Sequence, residues 1–236
     1  MAKPHYDIGL RMTKMQTVIG WLYLPIYLVL AAEAIIFLGD LFGMNLSQYA
    51  VNLIYFSLNL VFVLLVYHRF LGKSFAAFGK HFWPFVQTLI LGFALYYITN
   101  ILLVGVLGFF VDDTTIANND AVTNLVSENA TVMLLFSVVA APIVEETLVR
   151  GVVFGSFHRI NRYLAYAASI LLFSGMHIWQ YAGDLTFMSL LYNGLAYVPA
   201  SIALGWTYEK SGTILCPILL HMIINAIAFG VTAILF

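Results

Sequence analysis

The amino-acid sequence predicts an all-α fold: a polytopic membrane helical bundle of seven helices, or eight if one run breaks, around a polar cavity inside the bilayer. Apolar runs of about 20 residues, enough to cross the hydrocarbon core at helical rise, recur along the whole chain. Lysine and arginine collect in alternate connecting segments, the asymmetry that membrane topology imposes. With 62% of its 236 residues hydrophobic and 9% charged, and a mean hydropathy of +0.95, the chain is far too apolar for a water-soluble domain.

Residues 1–17 are polar, of mixed charge and followed by no small-residue cleavage pattern, so they read as a retained segment. The first membrane helix is expected over 17–38 and the second over 49–67. The third run, 82–110, is long enough to tilt strongly or to break near Asn100, which would make the eighth helix. The remaining helices are expected over 131–156, 163–181, 185–208 and 213–236. Trp21, Trp83 and Tyr208, near the ends of runs, read as interfacial anchors. No second domain, low-complexity segment or internal repeat interrupts the chain, which reads as one integral membrane domain over 1–236 with its motif-bearing core helices in 131–236.

Lys3, Arg11 and Lys14 precede the first helix; Arg69, Lys73 and Lys80 lie between the second and third, Arg159 and Arg162 between the fourth and fifth, and Lys210 between the sixth and seventh. The alternate segments hold no Lys or Arg and carry Asp40, Asp112, Asp113, Asp120, Glu128 and Asp184. The expected topology is a cytoplasmic N-terminus and an outer C-terminus. A short chain without organelle signals points to a bacterial plasma membrane.

A formal net charge of −1, with no basic patch, excludes nucleic acid as a partner. The single cysteine, Cys216, excludes an intrachain disulfide and reads as a free buried thiol. Glu33 and Asn100, polar at membrane depth, could line the cavity, but read first as interhelical hydrogen-bonding residues outside the site.

The tenth basic residue, Arg150, breaks the charge pattern by falling within an apolar run, in Glu145-Glu146-Thr-Leu-Val-Arg150. Each charge at the centre of a membrane helix costs about 2.5 to 3.5 kcal/mol on insertion scales, so these side chains must face protein or water. Glu146 and Arg150 share a helical face and can pair, while Glu145 is displaced by about 100°, so one carboxylate can be structural and the other free. Two further runs present Phe173-Ser-Gly-Met-His177 and His221-Met-Ile-Ile-Asn225. His221 and Asn225 share a face and offer donors suited to a developing oxyanion, and a glutamate with His177 suits water activation. A proton-coupled carrier would use the same residue types, although no pair of repeats with broken helices supports one. The chemistry alone leaves both open.

Glu145-Glu146-x-x-x-Arg150, Phe173-x-x-x-His177 and His221-x-x-x-Asn225, in this order on three membrane helices, resemble the three motifs of the CPBP intramembrane proteases. That family includes the type II CAAX prenyl endopeptidases and bacteriocin-processing and immunity proteins. The resemblance covers 140–226 and none of the first half. It implies an endopeptidase in which Glu145 or Glu146 activates water, His177 assists, His221 and Asn225 form the oxyanion site, and Arg150 locks the second glutamate with Phe173 in support. Val149 stands where the family has an aromatic residue, a departure that bears on local packing.

The family's metalloprotease label raises zinc as a cofactor, held by Glu145, Glu146, His177 and His221. No His-Glu-x-x-His pair requires it, and a glutamate-activated water explains the same residues. The implied partners are the lipid bilayer and a peptide or membrane-protein substrate, with a peptide pheromone, a bacteriocin or its leader the preferred class. The alternative is a non-catalytic peptide-binding scaffold or bacteriocin-immunity protein. No pattern in the chain encodes its oligomeric state.

Overall fold

The computed structural model describes residues 9–111 and 115–235; Lys3, Asp112, Asp113 and Phe236, which entered the sequence reading, lie outside the described residues, as does the side chain of Glu128. Eight helices and no strand are found among the described residues: α1 (Lys14–Leu41), α2 (Gln48–Lys80), α3 (Phe82–Leu107), α4 (Ala117–Glu128), α5 (130–158), α6 (Arg162–Ile178), α7 (Phe187–Ser211) and α8 (Leu215–Leu235). Helices α1, α2, α3 and α7 are long and apolar enough to cross a membrane, and Leu215–Gly230 is a shorter apolar stretch. Large apolar side chains such as Leu65, Ile90, Leu102 and Phe109 stand exposed, forming a surface for lipid rather than water. The chain is an integral membrane helical bundle.

Seven of these helices occupy the expected runs. The eighth does not come from a break at Asn100, through which α3 runs uninterrupted; it is α4, a short polar helix in the longest loop. Helix α2 continues to Lys80 instead of ending at Tyr67, because Phe70, Leu71 and Ser74 are buried and no proline intervenes.

Side-chain caps set several starts: Thr13 accepts from the Gln16 N–H in a capping box, Ser47 from Ala50, Asn161 from Tyr163 and Leu164, and Thr186 from Ser189. Gly212 closes α7 at φ 65°, a left-handed conformation that a side chain would strain.

The core surrounds α5, in which every residue from 144 to 154 is buried. Tyr67, Leu148, Phe154, Tyr208 and Ile214 belong to one apolar cluster, and Val149, Phe173, Leu204 and Leu220 to a second. Tyr208 is therefore a core residue and not an interfacial anchor; it is 1% exposed and its hydroxyl donates to the Leu10 carbonyl at 3.4 Å. Helix α3 meets α7 at Gly92, where an added Cβ would fall on the Thr207 side chain. Glu209 on α7 accepts from Arg162 at 2.8 Å and Tyr166 at 3.1 Å and lies 3.1 Å from His158 Nε2, tying α7 to α5 and α6 near the Lys- and Arg-bearing loops.

Candidate active site

Two widened, π-helical segments, Phe136–Ala140 and Thr147–Phe154, flank the short α-helical stretch Ala141–Glu146 in α5. Such departures often accompany functional sites. In the first segment Ala141 N–H reaches back to the Phe136 carbonyl. The next carbonyl, that of Ser137, would in the same register receive the N–H of residue 142, which is proline and has none. Asn225 Nδ2 of α8 donates to the Ser137 carbonyl at 2.9 Å and supplies the missing bond.

Glu146 and Arg150 are fully buried. Arg150 Nη1 donates to Glu146 Oε1 at 2.9 Å, and Nη2 donates to Ser201 Oγ at 3.0 Å and the Ser201 carbonyl at 3.3 Å. The guanidinium carbon lies 4.4 Å from the centroid of the Phe173 ring, so an aromatic face completes its surroundings. These partners offset the cost of burying the two charges, which would be prohibitive for either alone.

Glu146 Oε1 also meets His221 Nδ1 at 2.9 Å. A carboxylate paired with arginine accepts, so His221 Nδ1 carries the proton and Nε2 faces outward as a lone pair. His177 is set in the same tautomer by a different partner, since its Nδ1 donates to the Phe173 carbonyl at 2.7 Å. Its ring stacks on Tyr197, with centroids 4.2 Å apart. Both Nε2 atoms lie 3.9 Å from Glu145 Oε2, too far for direct hydrogen bonds. That oxygen is buried and has no hydrogen-bond partner. Three acceptors thus surround a gap that calls for a donor of protons.

Glu145, Phe173, His177, His221 and Asn225 line a cavity of 630 Å³. Glu146 and Arg150 stand behind its wall. The lining reaches exposed Gln48, Asn119 and Gln180, next to loops without Lys or Arg. Glu33 and Asn100 line the same cavity, so they are not the interhelical bonding residues expected of them; neither makes a hydrogen bond to another helix among the described residues.

The donor types in this cluster suit zinc, but their spacing does not. Among the described residues no group of three or more His, Cys, Asp or Glu could hold a metal ion, and Glu146, one of the four ligands considered, is committed to Arg150 and His221.

Ser201, Ser137 and Tyr197 are parts of this arrangement that sequence reasoning missed. The prolines Pro142 and Pro199 are the only local signals near them, marking the widened turn of α5 and the interruption of α7 at Tyr197.

The segment that carries all three motifs also matches a known family model, described as type II CAAX prenyl endopeptidase Rce1-like, over residues 127–227. That match, with the three motifs inside it, supports a CPBP-type intramembrane protease segment over residues 127–227. No curated protein and no solved structure matches the chain. The matched segment comprises α5, α6, α7 and most of α8, while α1, α2, α3 and α4 supply the rest of the cavity wall.

Proposed function

We propose that the chain is an intramembrane endopeptidase in which Glu145 is the base that activates water, without a metal. The observation supporting this is Glu145 Oε2: buried, unpartnered, on the cavity wall and 3.9 Å from two imidazole lone pairs. A gap of that length accepts one bridging water, whose two O–H groups donate to two of the three acceptors at a time.

Glu145 takes a proton as the water oxygen attacks the peptide carbonyl carbon, and the carbonyl electrons move to oxygen. The second Nδ2 hydrogen of Asn225 is available to that oxyanion. With Nδ1 donating to Glu146, His221 joins it as a donor only once Nε2 also carries a proton. As the intermediate collapses the C–N bond breaks, the abstracted proton goes to the leaving amine, and a new carboxyl group remains. Arg150 and Phe173 act as positioning residues.

In this reading the N-terminus is cytoplasmic, in a bacterial plasma membrane, and the cavity mouth faces outward. The substrate class is then an exported peptide, bacteriocin or leader rather than a cytoplasmic protein.

The test is cleavage of a fluorogenic peptide library by purified protein in detergent, with and without a zinc chelator. Cleavage undiminished by the chelator is expected. Loss of cleavage on chelation, restored by zinc, contradicts the metal-free mechanism, and tight peptide retention without cleavage contradicts the protease.

A further inference from the structure

We infer that Glu33 is a specificity residue of this cleft, receiving a cationic group of the bound peptide: a lysine or arginine side chain, or a free α-amine. The inference rests on the reading of the cavity as a peptide-binding cleft and goes beyond it by naming which peptides fit.

Glu33 lies in α1 about 12 Å of helix from its end at Leu41, and lines the cavity together with Asn52 of α2 and Asn100 of α3. It is exposed, and among the described residues its carboxylate has no ion pair or hydrogen bond. A charge in a membrane-spanning helix is costly, and those that occur face a cavity or pair with one another. Glu33 faces the cavity and lacks the pair, so the complementary charge is one that a ligand brings.

The rest of the wall agrees. Among the described residues the lining contains two carboxylates, Glu33 and Glu145, and no lysine or arginine. The Arg150 guanidinium is fully buried and committed to Glu146, Ser201 and the Phe173 ring. Seven side-chain amides, four tyrosines and Ser137 on the wall bond peptide backbone without selecting charge, and His177 and His221 present lone pairs at Nε2.

A segment with a cation therefore gains from a low-dielectric wall of negative charge. A segment recognised by its free C-terminal carboxylate finds no arginine or lysine to receive it and meets two carboxylates instead. Selection for an internal or N-terminal cation, against a C-terminal carboxylate, follows.

Binding reads this independently of turnover. Two fluorescent decapeptides, identical except for lysine in place of glutamine, are titrated against purified Glu145→Gln protein by anisotropy. The lysine peptide should bind about tenfold more tightly, a preference that a single charge-assisted hydrogen bond can supply. Adding Glu33→Gln should remove the preference, and Glu33→Lys should invert it. N-acetylated versions of both peptides tell the α-amine from the side chain as the cation.

Equal binding of the two peptides that N-acetylation leaves unchanged, or a preference that survives Glu33→Gln, overturns the inference. Wild-type turnover separates it from the protease reading. A protein that prefers the lysine peptide through Glu33 but cuts neither retains the specificity residue and loses the endopeptidase; one that binds and cuts both alike is a protease without it.

Discussion

His221 turns Nδ1 to Glu146 Oε1 at 2.9 Å, so the carboxylate paired with Arg150 also decides which imidazole nitrogen faces the cavity. That carboxylate is structural in a strict sense: its loss leaves a fully buried guanidinium without a counter-charge. Glu146→Gln should destabilise the protein by about 3 to 5 kcal/mol, the range for breaking one side of a buried ion pair. The double variant Glu146→Gln/Arg150→Met should recover much of this, because removing both charges ends the uncompensated burial. Denaturation midpoints in detergent measure both. A double variant less stable than Glu146→Gln alone would count against this account of the pair.

Asn225 stands in for a backbone donor that Pro142 lacks. Asn225→Ala should cost about 1 to 3 kcal/mol by leaving the Ser137 carbonyl unsatisfied. Pro142→Ala, which returns an N–H beside that carbonyl, should restore part of the stability in the Asn225→Ala background. It should not restore cleavage, since the amide facing the oxyanion is still missing. Recovery of both together would make Asn225 a purely structural residue.

The mouth of the cavity lies beside loops without Lys or Arg. Cysteines introduced at Gln48 and Gln180, both exposed and on the cavity lining, should react in intact cells with a membrane-impermeant thiol reagent. A cysteine at Lys73 should react only after the membrane is opened. Cys216, free and buried, should give little background. The reverse pattern would put the mouth in the cytoplasm.

Helices were legible wherever an apolar run of membrane length left few alternatives, as in α1, α3 and α7. Position along a helix was harder to read than its existence: α2 runs to Lys80 because Phe70 and Leu71 have a protein surface to bury against, which no local pattern announces. Rotation was harder still. A helix apolar on all sides carries no periodicity to say which face meets the bundle, so sequence alone leaves Glu33 and Asn100 between interhelical bonding and the cavity wall, where both lie. Tyr208 sits at a run end like an anchor, and only its packing among Tyr67, Phe154 and Ile214 makes it core.

The site residues were recognisable because ionisable groups in an apolar run have few innocuous explanations. The ion-pair geometry of Glu146 and Arg150 followed from their spacing. The division of labour between the two glutamates did not, because it depends on His221 approaching Glu146 from another helix. Nor did the link from Asn225 to Ser137, which arises from a π-helical register that composition does not reveal.

The most direct test of the central claim is the cleavage rate of Glu145→Gln beside that of wild type, on one peptide the wild type cuts, with thermal unfolding of both recorded. The account predicts a loss of about 100-fold or more, the range for removing a general base, with the unfolding temperature nearly unchanged because Glu145 Oε2 has no partner to lose. Cleavage by Glu145→Gln within a few fold of wild type would show that another group activates the water.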